Sequence, residues 1–349
     1  MLIYWFMFLI PMSMALFVGH ARQKNVVFWF FIGFLFIFII GFRDEIGCDW
    51  FNYVRHYERT LDMAFLEIFN KGKDPGHAFV NWLMGQWEFG IYGVNFIYAI
   101  IFVIGLIVFS RKQMYPWLAL TVAVPYMVVM VSMGYSRQGV ALGFFMLAIT
   151  YIEEGKFKSY VFWVLMATLF HKSAIILLPF GLFLSKGGIW LRILIMIPVF
   201  YGGWDLLLAE KQEELWKTYV EQQMQSSGAY IRVFMNFVPA ILFFIYRKKW
   251  KQSYADYPFW FWIAIGSIVS MLLVNEATTA VDRIALYFIP LQLAVFSRLP
   301  YLMRNSISPN IAKLIIILGY AMVLFVWLSY ATHSHCWMPY QNMLFKEII

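Results

Sequence analysis

Between Val26 and Phe42 the chain carries no ionisable side chain, and eleven other predominantly apolar runs accompany this one. They fall at roughly 1–18, 91–109, 115–132, 138–152, 158–171, 173–185, 189–204, 232–246, 258–275, 283–298 and 312–331. Apolar residues make up 62% of the 349 positions and charged ones 13%, roughly half the charged share of soluble domains. No water-soluble fold hides that much apolar surface, so most of the chain has lipid as its solvent. The expected architecture is all-α: a single polytopic membrane domain over 1–349 with about twelve transmembrane helices. The first run could pass for a signal peptide, but it lacks a basic leader and a small-x-small cleavage site. It is read as a retained span.

A net charge of +8 invites a nucleic-acid reading. The basic residues, however, sit in short clusters between apolar runs, which is a topogenic pattern and not a binding stripe. Cys48 and Cys336 are too few for a disulfide framework and lack metal-ligand spacing. There is no Gly-rich phosphate loop, no His/Cys metal cluster and no internal repeat. No metal or cofactor is expected.

Orientation follows from charge. Arg22/Lys24, Arg111/Lys112, Lys156/Lys158, Lys186/Arg192, Arg247/Lys248/Lys249/Lys251 and Arg298/Arg304/Lys313 fall in alternate loops, joined there only by Glu153, Glu154 and Asp256. That side carries about +12 and the other about −4, which makes the first side cytoplasmic. Both termini then lie outside, with two outer loops at 43–75 and 205–231. The segment 76–89 is apolar on one side only and is expected to be interfacial or re-entrant.

The stretch 157–186 has lysines at both ends and Phe170-His171-Lys172-Ser173 at its centre. Two helices of about 14 residues rise only ~21 Å each, short of a ~30 Å hydrocarbon core. The expected arrangement is a hairpin with His171 below the outer surface. The competing arrangement is one long kinked span, which would invert everything downstream.

Four motifs then reach the outer face: Arg43-Asp44-Glu45-Ile46-Gly47-Cys48-Asp49-Trp50 with Tyr53 and Tyr57 beyond it, Ser136-Arg137-Gln138, His171-Lys172, and Asp282-Arg283 with Tyr287. Ionisable groups near membrane depth are costly and are normally paired or functional. Arg43 also fits a helix-ending residue that snorkels to headgroups, Asp282 fits an ion pair with another span, and a lone His is often a packing residue. Arg137 has no acidic neighbour nearby in sequence, so it is expected to be unpaired and to need an anion. Three arginines, Arg43, Arg137 and Arg283, converging on one cavity point to a diphosphate, because the guanidinium fork binds phosphate oxygens without a metal. His171, or Asp49 if burial raises its pKa, is the candidate base for an attacking hydroxyl. Because Cys48 and Cys336 both fall outside, they can form a disulfide between the first loop and the C-terminal tail.

In this order, Arg43 with Gly47-x-Asp49 and Tyr53, Asp74-Pro75-Gly76, Arg137-Gln138, Phe170-His171-Lys172-Ser173, Asp282-Arg283 and Trp337-Met338-Pro339-Tyr340 resemble the EpsG-like branch of the Wzy-type O-antigen and capsule polysaccharide polymerases. The sequence departs at Cys48, where that pattern usually has a small hydroxyl residue. The resemblance implies a metal-independent, GT-C-type glycosyltransferase of the bacterial inner membrane whose active site faces the periplasm. It would move a growing glycan from undecaprenyl diphosphate onto an incoming lipid-linked repeat unit. A chain-length regulator and a flippase of the same pathway would be its partners, beside the lipid bilayer. Arg43, Arg137, Arg283 and Lys172 would hold diphosphate, and His171 or Asp49 would activate the acceptor. Trp50, Tyr53, Tyr57, Gln138 and Tyr340 would contact sugar. The rival classes are an O-antigen ligase with the same donor, a lipid-linked oligosaccharide flippase, and a membrane O-acyltransferase.

Overall fold

A computed structural model of the protein describes residues 1–18, 25–68, 74–183 and 228–346, with isolated positions between 190 and 201. Most of the expected run 189–204 and of the loop 205–231 falls outside the described residues, as do Arg22, Lys24, Lys186 and Arg192.

The described residues are almost entirely helical. In chain order the helices are α1 (Leu2–Phe17), α2 (Val26–Gly41), α3 (Trp50–Leu61), α4 (Pro75–Gln86), α5 (Gly90–Arg111), α6 (Pro116–Ser132) and α7 (Ser136–Ile149). After α8 (Phe157–Phe170) comes a 3₁₀ segment, Lys172–Phe183. The remainder are α9 (Ala229–Ile245), α10 (Arg247–Ser253), α11 (Tyr257–Leu273), α12 (Thr278–Ala285), α13 (Pro290–Leu302) and α14 (Pro309–Tyr330). Among the described residues two helices, α5 and α14, are long and apolar enough by themselves to cross a membrane. Two bent pairs bring the number to four if each counts as one span: α9 with α10, bent by 76°, and Thr278–Phe288 with α13, bent by 44°. The other apolar helices are shorter. The expected run 283–298 is therefore broken, and Pro290 at the first turn of α13 accounts for the break, since it has no N–H to continue the ladder.

The core is α6, every residue of which is buried. Its first half is α-helical and Val124–Ser132 is π-helical, a form found mostly in short pieces and frequently beside functional sites. Trp117 of α6 stacks on Trp29 of α2 with ring centroids 4.1 Å apart. The backbones of α5 and α7 touch at Gly105 and Gly143, where a Cβ on Gly105 would lie 2.1 Å from the Gly143 carbonyl oxygen. Small residues at such crossings are the usual means of close helix approach in lipid.

Helix α8 and the 3₁₀ segment fold back on one another. The Tyr160 hydroxyl donates to the Leu177 carbonyl at 2.7 Å, and a Cβ on Gly181 would meet the rings of Tyr160 and Phe157. The far end of the second arm thus returns to the start of the first, with His171 at the apex in extended conformation. This is the hairpin, not the single kinked span.

Charge separates the two ends of the bundle. At one end Lys112 and Lys156 bridge Glu154 at 3.1 and 2.7 Å, Arg298 pairs bidentately with Asp256, and Lys249 donates to the Leu302 carbonyl. These are the basic-loop residues that alternate along the sequence. At the other end the C-terminal tail clasps the segment after α2. A two-residue antiparallel pairing sets Arg43 opposite Asn342 and Asp44 opposite Gln341. Gly47 N–H donates to the Cys336 carbonyl at 2.9 Å, and Cys48 and Cys336 form a disulfide. Lys346 pairs with Asp44 at 2.6 Å, and this hydrogen bond holds its ammonium above the usual lysine range. Trp337 is the buried anchor of the clasp. Its indole donates to Val129 of α6, and its carbonyl accepts from Tyr4 of α1.

Candidate active site

Gly47 cannot be another residue in this fold. Its φ is +99°, and a Cβ there would stand 2.6 Å from the Met133 carbonyl. That turn delivers Asp49 to the start of α3, where the half-buried carboxylate accepts from Asn52 Nδ2 at 3.2 Å. One turn later Tyr53 packs beside Arg137. The Arg137 guanidinium lies 6.0 Å from the Tyr53 ring centroid.

The expectation that Arg137 is unpaired is overturned. Arg137 Nη1 donates to Asp74 Oδ2 at 2.5 Å, and Asp74 is 5% exposed. The other Asp74 oxygen accepts from Lys172 N–H at 3.3 Å. Each residue of Asp74-Pro75-Gly76 has a separate task. Asp74 joins α7 to the hairpin apex, and Pro75 starts α4 where a missing N–H costs nothing. Gly76 lets α4 approach the end of α8, because a Cβ would fall 2.9 Å from the Leu169 carbonyl. The pairing takes one Arg137 donor, and the buried Nε has no partner among the described residues.

At the apex His171 Nδ1 lies 2.6 Å from Ser173 Oγ and 3.4 Å from the Tyr287 hydroxyl. Ser173 Oγ and the Tyr287 hydroxyl are 3.1 Å apart. Arg283, exposed on α12, acts electrostatically on Arg137 and Asp49, and both arginines act on His171. Its neighbour Asp282 is engaged elsewhere: Arg232 Nε and Nη2 donate to its two oxygens at 2.8 and 2.6 Å. The expectation that Asp282 serves an ion pair between helices agrees with this geometry. Arg137, Lys172, Arg283, His171, Asp49 and Tyr53 therefore share one region.

Other expected site residues lie differently. Arg43 is 1% exposed, and four of its five N–H donors are taken: by Met133 O at 3.2 Å, Ile40 O at 2.6 Å, Asn95 Oδ1 at 3.0 Å and Ser136 Oγ at 2.7 Å. It stands behind the start of α7, where its field is absorbed by neutral protein acceptors. Tyr340 sits in the clasp and donates to the Ile39 carbonyl at 2.8 Å. Trp50 is 5% exposed, packed near Tyr92. Tyr57 lies half-buried toward Gly85, at the far end of α3. Gln138 is 6% exposed, and its Nε2 has no hydrogen-bond partner among the described residues.

Beneath Tyr53 the buried His77 of α4 approaches the Tyr98 hydroxyl at 2.5 Å and is held by Asn81. Sequence reading passed over His77 because α4 reads as an interfacial helix. The only available signal was the i, i+4 spacing of His77 and Asn81, two polar residues on the face that is buried.

Residues 26–342 match the sequence model of the EpsG family. The chain belongs to the EpsG family. That span takes in every element described above except α1 and the last turn of the tail. Membership assigns the protein to polysaccharide biosynthesis, as a polymerase-like membrane protein. No curated protein and no solved structure matches the chain.

Proposed function

We propose that this EpsG-family protein is a polysaccharide polymerase of the membrane-embedded GT-C type. It transfers a growing glycan from undecaprenyl diphosphate onto an incoming lipid-linked repeat unit. The observation that carries this reading is the gathering of Arg137, Lys172 and Arg283 around His171 at the end of the bundle away from the basic loops. Three cations face two carboxylates there, and Arg137, with one donor held by Asp74, keeps a quarter of its side chain exposed for a doubly charged anion. By the positive-inside asymmetry the basic end is cytoplasmic, so the site faces the periplasm of a bacterial inner membrane.

In the reaction the acceptor hydroxyl attacks the anomeric carbon. The bond from that carbon to the diphosphate oxygen breaks, and undecaprenyl diphosphate leaves with its developing charge matched by Arg137, Arg283 and Lys172. The hydroxyl proton passes to a base, His171 or Asp49. Tyr53 beside Arg137 is the aromatic residue placed to meet sugar, whereas Trp50 and Gln138 are buried and Tyr57 lies at the far end of α3. Arg43 holds the start of α7 in place, and Tyr340 holds the clasp. A flippase that supplies lipid-linked units and a chain-length regulator complete the system.

A deletion strain tests the reading. Loss of this protein is expected to leave single repeat units on the surface lipid. A laddered product in that strain overturns the polymerase assignment, and complete absence of repeat units points to the ligase.

A further inference from the structure

Resting on the polymerase reading, we propose that Tyr287 and Ser173 fix His171 in the tautomer that carries its proton on Nε2. His171 then binds the diphosphate as a hydrogen-bond donor beside Arg137 and Arg283, and Asp49 is left as the base.

Three protons, on Tyr287, Ser173 and the His171 ring, must each find an acceptor or a ligand. Tyr287 is 1% exposed, so its hydroxyl proton needs an acceptor inside the protein. The acceptors within reach among the described residues are Ser173 Oγ at 3.1 Å and His171 Nδ1 at 3.4 Å, and the first is nearer. Once Ser173 accepts from Tyr287, its own proton goes to His171 Nδ1 at 2.6 Å. The chain Tyr287 to Ser173 to His171 then satisfies every group in one direction. In the opposite tautomer Ser173 Oγ would receive two protons and would have no described acceptor for its own. With Nδ1 accepting, the neutral ring must hold its hydrogen on Nε2. That nitrogen has no partner among the described residues. The charged groups around the ring are Lys172 next in sequence, Arg137 of α7, Arg283 of α12 and Asp74 at the start of α4. A neutral N–H donor beside two charged guanidiniums suits an anion, and the proton remains on nitrogen throughout.

Ser173 and Tyr287 are positioning residues on this view, and a glutamine can replace His171. The Gln side-chain amide places an N–H close to where histidine carries Nε2, but it cannot act as a base. The full-length protein in lipid nanodiscs is titrated with undecaprenyl diphosphate, and polymer is scored in a complemented deletion strain. His171→Gln is expected to bind within about fivefold of wild type and to make polymer, whereas His171→Ala binds about tenfold or more weakly. Ser173→Ala is expected to weaken binding about tenfold, and Ser173→Thr restores it. In the His171→Gln background Ser173→Ala changes binding by less than about twofold, because glutamine has no tautomer to fix. A packing role for Ser173 would leave its loss undiminished in that background and overturns the proposal. Wild-type binding with His171→Gln as inactive as His171→Ala overturns it too, and leaves the polymerase reading standing. Wild-type nanodiscs that take up no undecaprenyl diphosphate overturn both.

Discussion

Asp74 and Arg137, 63 residues apart in sequence, meet at 2.5 Å and tie the start of α4 to the start of α7. Because the same carboxylate accepts from the Lys172 backbone, it also ties both to the hairpin apex that carries His171. Three separate segments are thus indexed to one buried carboxylate. The guanidinium that it orients keeps a quarter of its side chain exposed, 24%. An arginine held in this way has little rotamer freedom left to lose when an anion arrives.

Arg137→Ala is expected to abolish polymer in protein that still inserts, and to cost about 2 kcal/mol or more of stability because the buried Asp74 carboxylate loses its cation. Asp74→Ala should act on the fold as well, costing about 2 kcal/mol, since it strips a partly buried cation of its partner. Polymer ladders and thermal unfolding in detergent separate the two effects. A wild-type ladder from Arg137→Ala removes the diphosphate argument.

Arg43 should behave in the opposite way. With four donors bound to protein acceptors, Arg43→Ala leaves buried carbonyls and the Asn95 side chain without partners, at a cost of several kcal/mol, roughly 1–3 for each orphaned group that stays dry. Lysine cannot reproduce the fork, so Arg43→Lys is expected to fall nearly as far. The measurement is folded yield by size-exclusion chromatography. A well-folded, stable but inactive Arg43→Ala protein would return Arg43 to the diphosphate site.

The Cys48–Cys336 disulfide closes a loop of 288 residues across the clasp. Non-reducing gels of alkylated protein should show a faster band that reduction slows. Cys336→Ser is expected to lower stability by about 2–4 kcal/mol and to loosen Asp49, next in sequence to Cys48. Free thiols on both cysteines in freshly isolated membranes would count against the bond.

The helical membrane architecture and the hairpin at His171 were legible because hydropathy and flanking lysines are local signals. Asp74 and Arg137 were not legible as a pair. Each looks isolated in its own segment, and nothing in either segment records the other. Arg43 misled for a related reason. Its acceptors are two backbone carbonyls, an Asn and a Ser drawn from three stretches of chain, and carbonyls leave no mark in a sequence. The number of spans was hard to read because many of these helices are short. A run of apolar residues does not reveal where Pro290 breaks a helix, or where Lys172–Phe183 tightens to 3₁₀ geometry.

The Gly105–Gly143 contact couples the fold to the site and can be tested against a control within the same chain. Helix α7 begins with Ser136 and Arg137, and α5 carries Asn95 and Tyr98, so the spacing of these two helices sets where Arg137 stands. Any side chain at Gly105 meets the Gly143 carbonyl backbone, which cannot swing aside as a side chain can. Gly105→Ala or Gly143→Ala should therefore push the helices apart, cost about 1–3 kcal/mol and reduce polymer by moving Arg137 off its partner. Gly319 of α14 has open space around its Cβ position. Gly319→Ala is expected to be neutral or to stabilise by up to about 1 kcal/mol, from helix propensity alone. Thermal unfolding and polymer ladders of the three variants decide the matter. Equal behaviour of Gly105→Ala and Gly319→Ala would mean that α5 and α7 do not touch at this crossing.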